Sequence, residues 1–299
     1  MSNIKAWMVS LRLRTLPLAL STIFMGSIIA AWQNNFNSGV LLWAAITTLF
    51  LQVLSNLAND YGDAKSGADN ENRVGPQRMI QQGVISMKQM KTAMVICVLL
   101  SLISGITLLF KAFNELQWQQ LLFFILGIAA IAAAIRYTVG SNPYGYRGLG
   151  DMYVFIFFGL LGVAGTWFLH TNTWQWHVLL PASTIGLFSA GVLNLNNIRD
   201  IDSDRQSNKI TLVVRMGKKA ASWYHLFLIA SGWITMLVFV ALFDDVSNFW
   251  PLFLTLPLFI RNIIVVFKNK EADKLDVELR NLAVSTLLFV LLSGVKLFF

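Results

Sequence analysis

Asn56-Leu57-Ala58-Asn59-Asp60-Tyr61-Gly62-Asp63 stands where an apolar run, Val40 to Leu57, meets a polar segment. Read as helix, Asn56, Asn59, Asp60 and Asp63 fall at offsets zero, three, four and seven, so all four side chains share one face. Carboxylates and carboxamides facing one way at the end of a membrane-length helix are costly to keep there. Alone, the cluster reads equally well as a solvated helix end. A second stretch repeats the pattern: Asn194-Leu195-Asn196-Asn197-Ile198-Arg199-Asp200-Ile201-Asp202-Ser203-Asp204. Asp200 and Asp204 lie one helical turn apart, and Asn197, three residues before Asp200, joins their face. Asp202 points elsewhere, towards solvent.

Composition sets the frame for both clusters. The chain has 299 residues, 56% of them hydrophobic and 13% charged. Soluble domains carry roughly a quarter charged residues, and so few charges could not cover a soluble surface. The fold class is therefore all-α integral membrane, a helical bundle in one multi-pass domain covering residues 1–299. Nine spans are expected: Leu16–Trp32, Val40–Leu57, Thr92–Phe110, Leu121–Ile135, Tyr153–Leu169, Val178–Leu195, Trp223–Phe243, Trp250–Phe267 and Leu282–Phe298. Pro257 is expected to kink the eighth. No cleavable leader is expected, because the first apolar run is long enough to remain as a span. The single cysteine, Cys97, excludes an intrachain disulfide.

Lys and Arg divide unequally between the two sides. One side receives only Lys111 and Lys296; the other receives the N-terminus and the loops after the even-numbered spans, with the remaining basic residues. By the positive-inside rule the basic side is cytoplasmic and the C-terminus lies outside. The net charge of +8 then reflects contact with an anionic leaflet, and nucleic acid is excluded as a partner. Both clusters close an even-numbered span on the cytoplasmic side, and each opens a long basic loop. This layout suggests two four-helix halves, over about residues 10–140 and 150–267, plus a ninth helix over 282–298.

Each cluster offers an Asn and two Asp, all hard oxygen donors. Such donors suit Mg²⁺, which binds through one or two carboxylates together with substrate phosphate oxygens. The scattered His170, His177 and His225 give no zinc or copper site. Two facing carboxylate clusters bridged by Mg²⁺ make a clamp for a diphosphate. Arg73 and Arg78 follow the first cluster, and Lys209 and Arg215 follow the second; together they would neutralise a departing diphosphate. Tyr137, Tyr144 and Tyr146 lie in a third polar stretch, Arg136 to Asp151, on the same side. They read either as interfacial anchors or as rings facing an aromatic substrate or a carbocation. Arg14, at the mouth of the first span, reads as a snorkelling anchor or as a carboxylate-binding residue.

Asn59-Asp60-x-x-Asp63 and Asp200-x-x-x-Asp204 resemble the two aspartate-rich motifs of UbiA-type intramembrane prenyltransferases, and the nine-span layout is similar to that family over nearly the whole chain. A finer resemblance, to the naphthoate branch acting in menaquinone synthesis, is carried by five stretches. They are Arg14-Thr15-Leu16-Pro17, Asn56 to Asp63, Arg73-Val74-Gly75-Pro76-Gln77-Arg78, Tyr144 to Asp151, and Asn197 to Asp200 with Lys209 to Gly217. One departure is visible: where the wider family has a further Asp four residues after Asp63, this chain has Gly67, and the next carboxylate is Asp69.

The resemblance implies a Mg²⁺-dependent enzyme of a bacterial cell inner membrane, with the active site under a cytoplasmic cap. It implies that a polyprenyl diphosphate and 1,4-dihydroxy-2-naphthoate are the substrates, with no obligate protein partner. Asp60, Asp63, Asp200 and Asp204 are the implied catalytic residues, joined by Asn59 as metal ligands. Asn56, Asn59, Asn197, Arg14, Arg73, Arg78, Tyr137, Tyr146, Arg147 and Lys209 are the implied substrate-binding residues. Arg14, Arg78 or Arg147 would meet the naphthoate carboxylate. Two other readings remain open from the residues: another aromatic acceptor such as 4-hydroxybenzoate, and a transporter, although transporters place charges nearer the bilayer midplane.

Overall fold

Long apolar runs in a membrane must satisfy their own backbone hydrogen bonds, and here they do so as helices. The computed structural model describes residues 3–67, 78–243, 249–268 and 271–297. Arg73 and Asp69 lie outside the described residues. Eleven helices are labelled in chain order: α1 (Asn3–Leu11), α2 (Leu16–Trp32), α3 (Ser38–Ser66), α4 (Met87–Ala112), α5 (Trp118–Arg136), α6 (Gly150–Thr171), α7 (Leu179–Arg199), α8 (Ile201–Gln206), α9 (Leu212–Phe243), α10 (Leu256–Lys268) and α11 (Ala272–Ser293). Among the described residues, eight helical stretches are long and apolar enough to cross a membrane, so the chain is a multi-pass helical membrane protein.

The ninth expected span takes a different form. Its helix begins at Ala272, ten residues before the expected Leu282, and ends at Ser293. The added first half carries Asp276, Glu278 and Arg280, which read as loop in the sequence. Inside the protein Asp276 and Glu278 are paired with arginines, and that pairing lets the helix absorb them. Pro257 also acts differently from expectation. A 3₁₀ stretch, Trp250–Thr255, ends just before it, and α10 starts at Leu256, so the proline lies in the first helical turn, where its missing N–H costs nothing. The helix α9 begins earlier than expected and is broken at Gly217, whose φ of 80 lies in the left-handed region.

The innermost helix is α7, with Ile185, Phe188 and Leu195 fully buried. It packs against α6, α9 and α11. Two glycines let α6 and α7 approach closely: a Cβ on Gly159 would lie 2.6 Å from the Ala182 carbonyl and 2.8 Å from Gly186 Cα. Small residues at a crossing are how membrane helices gain van der Waals contact without a hydrophobic driving force. Along the same helix Phe155–Gly165 runs as a π-helix, a form concentrated at functional sites. By contrast α5 has no buried residue along its length. It leans on α3 and α4, with Ile131, Ala134 and Ile135 packed against a cluster containing Leu54, Met94 and Cys97.

Candidate active site

The helix α3 continues for nine residues beyond the apolar run and ends at Ser66, so Asn56 to Asp63 are helical as the spacing predicts. Asn56, Asp60 and Asp63 are buried. Asn56 donates to the Leu11 carbonyl at 2.9 Å and to Thr15 Oγ1 at 3.1 Å, and so ties the cluster to the entry of α2. Asn59 accepts from Thr138 Oγ1 at 3.3 Å. Gly62 makes room for that loop: a Cβ there would meet the Thr138 carbonyl at 2.6 Å.

Arginines neutralise this first cluster. Arg78 bridges it, with Nη1 2.6 Å from Asp60 Oδ1 and Nη2 2.6 Å from Asp63 Oδ2. Arg12 donates to the same Asp60 oxygen. Its φ of 49 is left-handed, a conformation that a non-glycine residue rarely adopts. The Tyr146 hydroxyl donates to Asp63 Oδ1 at 2.6 Å. Burial, with the Asp63 charge second, pushes the Tyr146 phenol well above its usual range, so it stays a donor.

The second cluster is built on a break. The helix α7 ends at Arg199, Asp200 sits between helices with φ −96 and ψ 10, and α8 follows. The turn still holds: Asp204 N–H donates to the Asp200 carbonyl at 2.8 Å. Asp200 is gripped by its neighbour, with Arg199 Nε 2.8 Å from Oδ1 and Nη2 2.6 Å from Oδ2. Arg199 Nη1 also reaches Asp276 at 2.5 Å, and Arg14 meets the other Asp276 oxygen at 2.6 Å. Asp204 pairs with Lys209 Nζ at 3.3 Å. Its second oxygen, Oδ2, is buried without a hydrogen-bond partner, and so is Asn197 Oδ1. Burial, offset by Lys209 and reinforced by Asp200, raises the Asp204 carboxyl to about 6. Asp202 is exposed, as expected.

The two clusters meet. Lys209 Nζ lies 5.6 Å from the Tyr146 ring centroid, while the hydroxyl of that ring holds Asp63. Burial works against the Lys209 charge, but the Asp63 and Asp204 carboxylates outweigh it and raise its pKa. Below them a cavity of about 390 Å³ runs into the bundle. Asn56, Asn59, Asp63, Asp200, Arg14, Arg78, Tyr137 and Lys209 line it. Asp60, Asp204, Asn197 and Tyr146 do not line it; Tyr146 and Asp60 hold lining residues in place. Arg147 is exposed and outside the lining, and its carbonyl accepts from Arg215 Nη2 at 2.8 Å. Tyr144 stacks on Tyr153 at 3.9 Å and meets Tyr137 edge-on at 5.3 Å. With Phe157 these rings are part of the lining, which is mostly apolar.

Among the described residues no three His, Cys, Asp or Glu side chains group to hold an ion by themselves. The five expected ligands are therefore divided between two clusters. An ion here would draw on one or two carboxylates and on substrate oxygens, which is how Mg²⁺ is usually held. The unpartnered oxygens of Asp204 and Asn197, both hard donors, fit that chemistry. Three residues of the network escaped the sequence reading. Arg12 and Arg199 counted only as basic loop charges, and Asp276 as part of a polar connection.

Known proteins resemble this chain in sequence and in fold. A 1,4-dihydroxy-2-naphthoate octaprenyltransferase of Haemophilus influenzae is 43% identical, over 99% of this chain and 96% of its own. One of Escherichia coli is 44% identical, over 97% and 95%. The solved structure of a UbiA homolog from Aeropyrum pernix K1 has the same fold, with a TM-score of 0.65 at 18% identity, covering 91% of this chain and 94% of that one. Residues 19–287 match the UbiA prenyltransferase family, and with two apolar-anchored aspartate clusters converging on one cavity, the chain belongs to that family.

Proposed function

We propose that the chain transfers a polyprenyl group from an all-trans-polyprenyl diphosphate to 1,4-dihydroxy-2-naphthoate, releasing carbon dioxide and diphosphate and forming demethylmenaquinol. The observation that carries this reading is the convergence of both clusters, joined through Tyr146 and Lys209, on one end of an apolar cavity. The names of the two bacterial relatives supply the acceptor.

Prenyltransferases of this family generally depend on a metal ion; here the ion is Mg²⁺. When bound, it supplies positive charge to the leaving diphosphate. Asp60, Asp63, Asp200 and Asp204 would hold it, and Asn59 and Asn197 would complete the donor set. Arg78 and Lys209, with Arg73 five residues before Arg78 in the sequence, neutralise diphosphate as the allylic C–O bond breaks and its electron pair leaves with oxygen. The rings of Tyr137, Tyr144 and Tyr153 face the developing allylic cation, and the apolar walls keep water from it. The ring carbon bearing the naphthoate carboxylate forms the new C–C bond, and loss of carbon dioxide returns the electrons that restore aromaticity. Arg14 and Arg78, which line the cavity, are the candidates to meet that carboxylate.

The ninth membrane span is α11, the basic side with both clusters is cytoplasmic, and the enzyme resides in a cell inner membrane. The halves over about residues 10–140 and 150–267 are parallel four-helix units. The test is incubation of the purified protein, in detergent with Mg²⁺, with a polyprenyl diphosphate and each of two acceptors. Prenylated naphthol with equimolar carbon dioxide is expected from dihydroxynaphthoate. Product only from 4-hydroxybenzoate, with its carboxylate retained, would overturn the acceptor assignment.

A further inference from the structure

Among the described residues the buried carboxylates are Asp60, Asp63, Asp151, Asp200, Asp204 and Glu278. All but one face a cation. Arg78 holds Asp60 and Asp63, Arg199 holds Asp200, and Lys209 holds Asp204. Glu278 on α11 has Arg261 of α10 at 2.9 Å. Asp151 is the exception: its neighbours are the Tyr224 hydroxyl on α9 and its own backbone N–H, and its Oδ1 is buried without a hydrogen-bond partner. Its place in the first turn of α6 accounts for an acid there, since a helix N-terminus favours one. It does not account for a side chain that is only 8% exposed, because a charge buried without a counter-charge is costly. A buried acid with a free oxygen beside a reaction site is the kind of group that takes up and returns a proton.

Asp151 does not line the cavity, but Tyr137 does, and the fold sets the Tyr137 hydroxyl beside the start of α6. Two glycines grip the edge of that ring. A Cβ on Gly145 would stand 3.0 Å from Tyr137 Cε2 and Cζ, and one on Gly150, the residue before Asp151, would stand 3.2 Å from Cε2 and from the hydroxyl oxygen. A side chain at either position would push the ring away. Burial first, and then the charges of Asp151, Asp204 and Asp63, lift the Tyr137 phenol well above its usual range. The hydroxyl therefore keeps its proton, and it can accept a second only by handing its own to a neighbour.

We propose that Tyr137 and Asp151 form a proton relay for the aromatic acceptor, with Asp151 acting through Tyr137 and not touching the acceptor itself. As the ring carbon bonds to the prenyl group, the O–H bond of the adjacent naphthol hydroxyl breaks, and its electron pair moves into a C=O bond. That proton goes to the Tyr137 oxygen while the Tyr137 proton passes to Asp151 Oδ1. When the bond from the ring to the carboxylate breaks, carbon dioxide leaves and the electron pair restores the aromatic ring as a naphtholate. The proton then returns along the same path to the naphtholate oxygen, so the relay ends as it began and no oxidant or reductant is needed.

The relay rests on the prenyl-transfer reading given above, and one assay separates the two. Purified full-length protein, in detergent with Mg²⁺, is given a polyprenyl diphosphate and dihydroxynaphthoate. Asp151→Asn keeps the shape of the side chain and removes its basicity. It is expected to lower kcat by about 100-fold, the low end of what general acid–base groups contribute, with KM for both substrates at the wild-type value. Asp151→Glu keeps a carboxylate and should recover most of kcat. Tyr137→Phe should lower kcat by a similar factor, and the double variant should lose no more than either single one, because the two groups act as one unit. An active wild type with an undiminished kcat in Asp151→Asn, or losses that multiply in the double variant, would overturn the relay alone. A raised KM that Asp151→Glu does not correct would make Asp151 a packing residue and overturn it as well. A wild type inactive with every aromatic acceptor would overturn the transfer reading and the relay with it.

Discussion

The two aspartate clusters look alike in sequence and differ in the folded protein. In the first, Asp60 and Asp63 are held by Arg12, Arg78 and Tyr146, four contacts from three side chains. In the second, Asp200 is gripped by Arg199, but Asp204 and Asn197 each keep a buried oxygen without a partner. A buried charge has to be compensated, and the two halves of the site do this in different ways. The first cluster borrows guanidinium groups that stand where cations would otherwise be needed. The second compensates Asp204 in part by Lys209 and in part by raising its carboxyl to about 6.

The largest expected effect tests what the clusters share. Asp63→Ala and Asp200→Ala should each lower prenyl transfer by at least about 100-fold, the loss seen when a preorganised charge-stabilising group is removed, while both proteins still insert into membranes. Near-normal product from either variant with excess Mg²⁺ would sink the clamp. The next test separates the clusters. Arg78→Ala leaves two buried carboxylates short of a partner and should cost about 3–5 kcal/mol in metal-free protein, read as a lowered melting temperature in detergent with a chelator. Lys209→Ala should cost less, because Asp204 can take up a proton. Equal losses would erase the distinction.

A smaller effect is expected from the layer behind the second cluster. Asp276→Asn releases Arg199 and Arg14 from their shared partner, and loss of such an outer contact typically costs about 10–100-fold in metal affinity or activity. Titration of Mn²⁺ by its paramagnetic signal reads this directly; wild-type affinity would show that Arg199 holds Asp200 unaided. The smallest effect should come from Arg147→Ala. Its side chain is exposed and outside the cavity lining, so stability should move by no more than about 0.5 kcal/mol. A raised KM for the acceptor would restore it to the site.

Much of the site was legible before folding. Asn56, Asn59, Asp60 and Asp63 share a helix face because their spacing matches one helix, and α3 runs through all of them. Asp200 and Asp204 were less so, since the helix breaks at Asp200. Arg147, grouped with the substrate-binding residues by its neighbours in sequence, faces away from the cavity, since a 3₁₀ turn over Tyr144–Arg147 turns Tyr146 inward to Asp63. Asp276 could not be found from spacing at all: its partners Arg199 and Arg14 lie 77 and 262 residues away.

By itself the sequence determined the class, the run of membrane-length helices, the asymmetry of basic charge and the two Asn/Asp faces. These are properties of composition and of local period, and a helix of 3.6 residues per turn converts them directly into faces. Only the tertiary structure decided which carboxylates are held by arginine and which oxygens remain open, and which side of the bundle is loosely walled. Those outcomes depend on where helices far apart in the chain are packed together, and an ion pair such as Arg12 with Asp60, 48 residues apart, exists only once that packing has brought its partners within reach.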